Sequence, residues 1–197
     1  MPNWCNNSFA ITGNIESIKD LWDSAQEENG LLQAIMPMPV ELEGTTAPSK
    51  LDEEEQAALL EKYGAADWYQ WRVNNWGTKW DVDLEGLEFI DNEDGTACIT
   101  GWFDSAWAPP IGAYEQLADD FDSCVIECSF HEPGMDFAGF WSSEDGEEYC
   151  EDLTEQCELP EDDRSDLFNR LDEEYALVEN YEMWKEEEEV DLTPTGL

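Results

Sequence analysis

Apolar and polar residues alternate in "NSFAITG" near the start of the chain, and a period of two with β-branched members predicts a strand. The next stretch, "NIESIKDLWDSAQEENG", changes period. Ile15, Ile18, Leu21, Trp22 and Ala25 recur at helical spacing, Asn14 is placed to cap the start, and Gly30 to end it. Prolines break "LLQAIMPMPVELEGTTAPSK" into irregular chain. "LDEEEQAALLEKYG" reads as a short acidic helix within an insertion of about 41–66, and "WYQWRVNNWGTKWDVDLEG" starts helical and ends extended. In "LEFIDNEDGTACITGWFDSAW" two apolar runs flank a polar turn with Gly, which predicts a hairpin. "PPIGAYEQLADDF" predicts a helix opened by Pro, and "CVIECSFHEPG" and "DFAGFWSSEDG" predict two further strands.

The order is therefore strand, helix, two strands, helix, strand, strand. It predicts an α+β fold, a ferredoxin-like βαββαβ sandwich with one antiparallel sheet and two helices on one face. We assign this domain to residues 1–143 and an acidic C-terminal extension to 144–197. In the extension, Leu167, Phe168, Leu171, Tyr175, Val178 and Tyr181 predict one long amphipathic helix. Its apolar stripe is expected to dock on its own domain, with a homodimer through this helix or capture of a partner as the alternative. The terminal "LTPTGL" is expected to fray.

Charge changes the picture most. Fifty acidic residues face eight basic ones, for a formal net charge of -42. Residues 144–197 hold 22 of the acidic and 3 of the basic residues, so the extension has about twice the charge density of the rest. A small soluble domain usually carries a net charge of about 2–8. A polyanion of this strength disfavours direct binding to nucleic acid or to anionic membranes. No basic n-region or long apolar run suggests a signal peptide or a membrane span, so we expect a soluble cytoplasmic protein.

Candidate chemistry is sparse. Cys5, Cys98, Cys124, Cys128, Cys150 and Cys157 include no C-x-x-C pair, and His131, read as a loop residue, is the only His. Cys124 and Cys128 share one face of a strand with Ile126 and Phe130, which predicts buried thiols. No metal, no cofactor and no catalytic residue is assigned. Asp104 and Ser105 lie together in "FDSAW" without a basic partner, and "DNEDG" lacks the bidentate Glu of a calcium loop. The tryptophans offer a choice. Trp71, Arg72, Trp76, Lys79, Trp80 and Trp107 would form a candidate pocket for a nucleotide or small ligand, with Arg72 and Lys79 meeting a phosphate. Packing of the same rings into the core is the preferred reading.

"MPNWCNN", "LLQAIMPMP", "WYQWRVNNWGTKWDVD", "FDSAWAPP" and "FAGFW", in this order over Met1 to about Trp141, resemble the YubB-type ferredoxin-like family of phage and plasmid proteins. The resemblance implies the fold and a mobile-element context, and brings no catalytic residues. The acidic extension departs from the family's common core.

These observations lead us to expect a non-enzymatic accessory protein of a phage or mobile element. It would bind and inhibit a basic, nucleic-acid-binding host protein, such as a defence or restriction nuclease, through a DNA-mimicking surface. The surface is assigned to Glu161, Asp162, Asp163, Asp172, Glu173, Glu174, Glu186, Glu187, Glu188 and Glu189. A Trp-rich ligand-binding module and an acidic domain adapted to high salt are the alternatives.

Overall fold

The computed structural model describes residues 2–121 and 123–191; the side chains of Glu151 and of residues 187–191 lie outside the described part, as does the "LTPTGL" stretch. In chain order the elements are β1 (Trp4–Asn14), α1 (Ile15–Glu28), α2 (Leu31–Ile35), α3 (Val40–Glu43), α4 (Glu53–Tyr63), α5 (Trp68–Asn75), β2 (Leu87–Asp91), β3 (Thr96–Ala106), α6 (Ile111–Asp120), β4 (Val125–Glu132), β5 (Phe137–Ser142), β6 (Gly146–Glu151), α7 (Leu153–Glu158), α8 (Asp166–Tyr175) and α9 (Leu177–Asp191). The strands form one antiparallel sheet in the order β2-β3-β1-β4-β5-β6. The fold is ferredoxin-like, with the predicted βαββαβ order at its centre.

The alternation in β1 sets the two faces of the sheet. Cys5, Asn7, Phe9 and Ile11 point to a buried layer, where Ile18, Leu21 and Ala25 of α1 and Ala113, Tyr114 and Leu117 of α6 meet them. Phe9 stacks on Tyr114 at 5.2 Å and lies 6.1 Å from Phe103. Each such side chain, fully removed from water, contributes about 1.5–3 kcal/mol. Cys124, Ile126, Cys128 and Phe130 are buried in the same layer.

Local chemistry places the helices. Asn14 Oδ1 accepts the Glu16 amide at 2.9 Å and starts α1. Its end differs from expectation by one residue, since Asn29 takes the left-handed conformation (φ 54°) and Gly30 is extended. Gly30 is needed for another reason. A Cβ there would stand 2.2 Å from Asp81 Oδ2. That carboxylate accepts the amides of Leu32, Gln33 and Val82 at 2.8–2.9 Å, clamping the start of α2. The stretch expected to be irregular thus contains α2, a single buried turn supported from 48 residues away.

Three further expectations are corrected. Residue 143 lies in the turn between β5 and β6, and β6 continues the sheet, with Ser142 opposite Gly146 and Phe137 opposite Glu151. The acidic extension therefore supplies an edge strand as well as helices. His131 is a strand residue, opposite Asn6 on β1 and Ala138 on β5. The long C-terminal helix is two helices, α8 and α9, because Ala176 takes the left-handed conformation (φ 49°). Asp172 Oδ1 accepts the Val178 amide at 2.8 Å across this corner.

The apolar stripe of α8 docks in cis on the sheet face opposite α1 and α6. Phe168, Leu171 and Leu177 are buried there with Ala138, Cys150 and Leu153. Tyr175 reaches the centre of the sheet, packing edge-on to Trp102 at 5.6 Å and sharing a hydrogen bond with Ser129 Oγ at 3.2 Å. The two helices of the sandwich thus share one face, as expected, and the docked extension covers part of the other. A non-glycine residue in the left-handed region costs roughly 1–2 kcal/mol. Ala176→Gly, with an exposed side chain to lose, is expected to raise stability by about 1 kcal/mol and Tm by about 2–4 °C. Thermal unfolding followed by circular dichroism checks this, and an unchanged or lower Tm counts against the strain.

Candidate functional site

The opening "NWCNN" looks like chemistry in the sequence, and the structure closes it off. Asn7 is buried in β1. Its amide nitrogen donates to Cys5 O at 2.8 Å, Ser105 Oγ at 2.9 Å and Phe103 O at 3.3 Å. The Ser105 hydroxyl in turn donates a hydrogen bond to Ala108 O at 2.7 Å. Cys5 and Glu132 are also fully buried beside this network. Burial pushes the Cys5 thiol well up and Cys128 up to about 12, so both stay protonated and poorly nucleophilic at neutral pH. Two buried acceptors, Asn7 Oδ1 and Glu132 Oε2, have no hydrogen-bond partner among the described residues. The motif is a sealed polar joint between β1, β3 and the start of α6. Among the described residues no group of three or more His, Cys, Asp or Glu is placed to hold a metal ion.

The Trp-rich residues separate into two environments. Trp71 and Trp76 are buried, edge to face at 5.8 Å, and the Trp76 indole N–H donates to Met36 O at 2.9 Å. Both are core. Arg72 lies over Trp76 at 4.7 Å and Trp68 at 5.4 Å, and its half-buried guanidinium has its pKa lowered chiefly by desolvation. Its Nε has no hydrogen-bond partner among the described residues. Beside it is a polar recess of about 490 Å³ whose walls include Glu28, Glu43 and Asp81. Three carboxylates around one arginine repel a phosphate. Burial raises the pKa of Asp81, with its backbone donors working the other way.

Trp80 and Trp107 are exposed, with Trp4 5.8 Å from Trp80 and Tyr69 6.1 Å from Trp107. Lys79 fills the space they outline, its Nζ 4.4 Å from the Trp80 ring, 5.5 Å from Trp107 and 5.8 Å from Tyr69. The six residues of the candidate pocket therefore do not line one cavity: two are core, and the exposed recess holds the chain's own cation.

The acidic residues assigned to the surface are mostly exposed. Glu161, Asp162 and Asp163 form an exposed 3₁₀ turn, and Glu173, Glu174 and Glu186 are exposed on α8 and α9. Asp172 is the exception, half-buried and committed to the corner before α9. The side chains of Glu187, Glu188 and Glu189 lie outside the described residues. Among the described residues three ion pairs form, Lys19–Asp23, Lys62–Glu41 at 2.9 Å and Lys185–Glu158 at 3.3 Å, all solvent-exposed. Exposed pairs of this kind are worth about 0–1 kcal/mol.

Sequence reasoning missed a groove of about 410 Å³ between the β4–β5 turn, α7 and α9. Leu153 and Leu177 line it with Cys157, and His131, Asp136 and Asn180 contribute polar atoms. Tyr181 and Trp184 complete the wall, their rings 6.1 Å apart and 30° from parallel. Trp184 remains half-exposed. Desolvation lowers the pKa of His131, which favours the neutral ring, and burial pushes Cys157 up to about 11. The signal for this groove in the sequence is thin, since its residues come from three separated stretches between 131 and 184.

Residues 79–179 match the family described as "Ferredoxin-like domain in Api92-like protein". A solved structure titled a protein api92 from Yersinia pseudotuberculosis is similar at 19% identity with a TM-score of 0.34. The similarity covers 61% of this chain and 38% of that one, so the chain spans well under half the length of that protein. No curated protein matches the chain.

Proposed function

We propose a binding rather than a catalytic role for this chain, which belongs to the family of the ferredoxin-like domain in Api92-like protein. It acts as an accessory protein whose acidic surface captures a basic partner. The observation that carries this reading is uncompensated charge on a folded scaffold. Fifty carboxylates face eight cations, three ion pairs form among the described residues, and two further cations, Arg72 and Lys79, are stacked on the chain's own rings. Self-repulsion at -42 opposes folding, so a use for the charge is expected outside the fold.

The finer form of the proposal is mimicry of DNA. Duplex DNA presents about one charge per 1.7 Å of axis. Exposed carboxylates on the 3₁₀ turn (Glu161, Asp162 and Asp163), on α8 (Glu173 and Glu174) and on α9 (Glu186) would offer a basic groove a one-sign field of this kind. The resemblance of the "MPNWC" start and its companion motifs to the YubB-type family supports a phage or plasmid setting, the host cytoplasm, and a defence or restriction nuclease as the target. The nucleotide-pocket alternative is weaker, because carboxylates wall the recess of Arg72 and Lys79 already fills the exposed aromatic one.

The test is capture from host lysate at ~0.05 M and ~0.5 M salt, followed by binding measurements on the purified partner. Exposed-charge attraction is screened over this range, so retention is expected at the lower salt and release at the higher. Replacing Glu161, Asp162, Asp163, Glu173 and Glu174 together by Lys is expected to weaken the partner by at least about tenfold while the far-ultraviolet spectrum is unchanged. Duplex DNA should compete. A partner that ignores both the charge reversal and DNA rules out mimicry.

A further inference from the structure

Among the described residues, the groove between the β4–β5 turn, α7 and α9 differs from the two recesses at the Trp-rich residues and, in pairing two aromatic rings with a carboxylate, from a third, lined by Trp22, Asp81, Asp83 and Glu85. The recess at Arg72 is shared with that arginine, and the aromatic one on the surface contains Lys79. This groove has aromatic walls and a carboxylate but no Lys or Arg in its lining. Lys185 lies outside it, 5.0 Å over Tyr181 and paired to Glu158 at 3.3 Å.

We infer that the groove is the receptor for a guanidinium side chain: one arginine of the basic partner enters between Trp184 and Asp136. The chemistry is complementary at each wall. Lys185 already lies over Tyr181, so the half-exposed indole of Trp184 is the ring that attracts an incoming cation through its quadrupole, and a flat, weakly hydrated guanidinium stacks on indole better than an ammonium does. Asp136 supplies the counter-charge. Its carboxylate oxygens accept from Thr154 N and Oγ1 at 3.2–3.3 Å, which fixes their position before any ligand arrives. Asn180 adds a neutral amide, and Leu177 gives the aliphatic stem an apolar floor. An anionic ligand meets no cation in the lining and the field of the whole chain opposes it. A volume of about 410 Å³ lies at the small end of the usual ligand-pocket range, which suits one inserted side chain. The chain itself uses the same pairing of arginine with rings, where Arg170 sits 3.7 Å from the centre of Phe140 and Arg72 lies between Trp68 and Trp76.

The inference deepens the proposed capture of a basic partner and rests on that reading for the identity of the occupant. The probe is N-acetylarginine amide, titrated into the full chain and followed by the Trp184 indole N–H signal in NMR, assigned by its loss in Trp184→Leu. N-acetylcitrulline amide, its uncharged near-isostere, is the control. Saturable shifts are expected with the arginine probe, about tenfold or more tighter than with the citrulline probe. Asp136→Asn keeps the acceptor for Thr154 and removes the charge. It is expected to weaken the arginine probe to the level of the citrulline one. Trp184→Leu, at a half-exposed position, is expected to weaken binding about three- to thirty-fold, read from chemical shifts elsewhere in the groove. Equal binding of both probes, no saturation, or indifference to both substitutions overturns the site. The two proposals fail separately. A captured partner that ignores Trp184→Leu leaves the acidic surface standing without the groove. Saturation by the arginine probe with no basic protein retained leaves the groove standing without the functional reading.

Discussion

Asn7→Ala is expected to destabilise the fold by about 3 kcal/mol, from loss of a buried donor to several acceptors. The amide has two N–H groups, and they serve Cys5 O, Ser105 Oγ and, at a longer 3.3 Å, Phe103 O. Those acceptors sit between two central strands and under α6, where water cannot replace the lost donor without opening the joint. Removal of the side chain also removes an orphaned acceptor, Asn7 Oδ1, and this relief keeps the loss from being larger. Urea unfolding of the variant measures the effect. A change below about 1 kcal/mol would mean that the network is peripheral to stability. Asn6→Ala makes an instructive comparison. Its amide donates to the exposed Asp104 carboxylate at 3.1 Å, and its loss is expected to cost under about 0.5 kcal/mol. Adjacent residues of one motif thus differ several-fold in weight because a strand turns them to opposite faces.

The second large effect concerns salt. With three exposed ion pairs among the described residues and a net charge of -42, repulsion among carboxylates acts across the whole surface. The screening length falls from about 30 Å at 0.01 M to about 8 Å at 0.15 M ionic strength. Relief of a few kcal/mol of repulsion corresponds to a rise in Tm of about 10 °C for a chain of this size. We expect that rise between ~0.01 M and ~0.3 M sodium chloride, followed by a plateau, because screening is nearly complete there. A protein adapted to brine behaves differently, continuing to gain stability into molar salt. A melting series in sodium chloride therefore separates the partner-binding reading from high-salt adaptation, and continued gain above ~1 M would favour the latter.

The sheet and its two central helices were legible because each obeys a single period. β1, β3 and β4 alternate, and α1 places Ile18, Leu21 and Ala25 on one stripe. β6 escaped because "GEEYCE" reads as charge. On an edge strand only one side is hydrogen-bonded, and Glu147, Glu148 and Tyr149 are all exposed, so no alternation marks the strand. The break at Ala176 escaped for a different reason. Alanine is the strongest helix former and carries no sign of the left-handed conformation that the Asp172 cap imposes. Within the tryptophans, Trp71 and Trp80 are alike in the sequence. Trp71 packs edge-on against Trp76, which is held by the Met36 carbonyl just after α2, whereas Trp80 meets Trp4 at the surface, and neither neighbour is adjacent in sequence to the ring it meets. The groove was hidden because docking of α8 creates it, bringing α9 over the β4–β5 turn.

β1 lies at the centre of the sheet, paired to β3 on one side and to β4 on the other. Both neighbours are far along the chain, Asn7 facing Phe103 and Phe130. During synthesis at roughly 5–20 residues per second, β1 leaves the ribosome roughly 6–25 s before β4 is complete. The strand that organises the core is thus the one that waits longest for its partners, with two bare hydrogen-bonding edges and apolar Phe9 and Ile11 in its middle. Throughout that wait the emerging chain carries an excess of carboxylates, Glu53, Glu54 and Glu55 among them, which repel other nascent copies. Negative charge that opposes the finished fold therefore protects the unfinished one from pairing with the wrong edge.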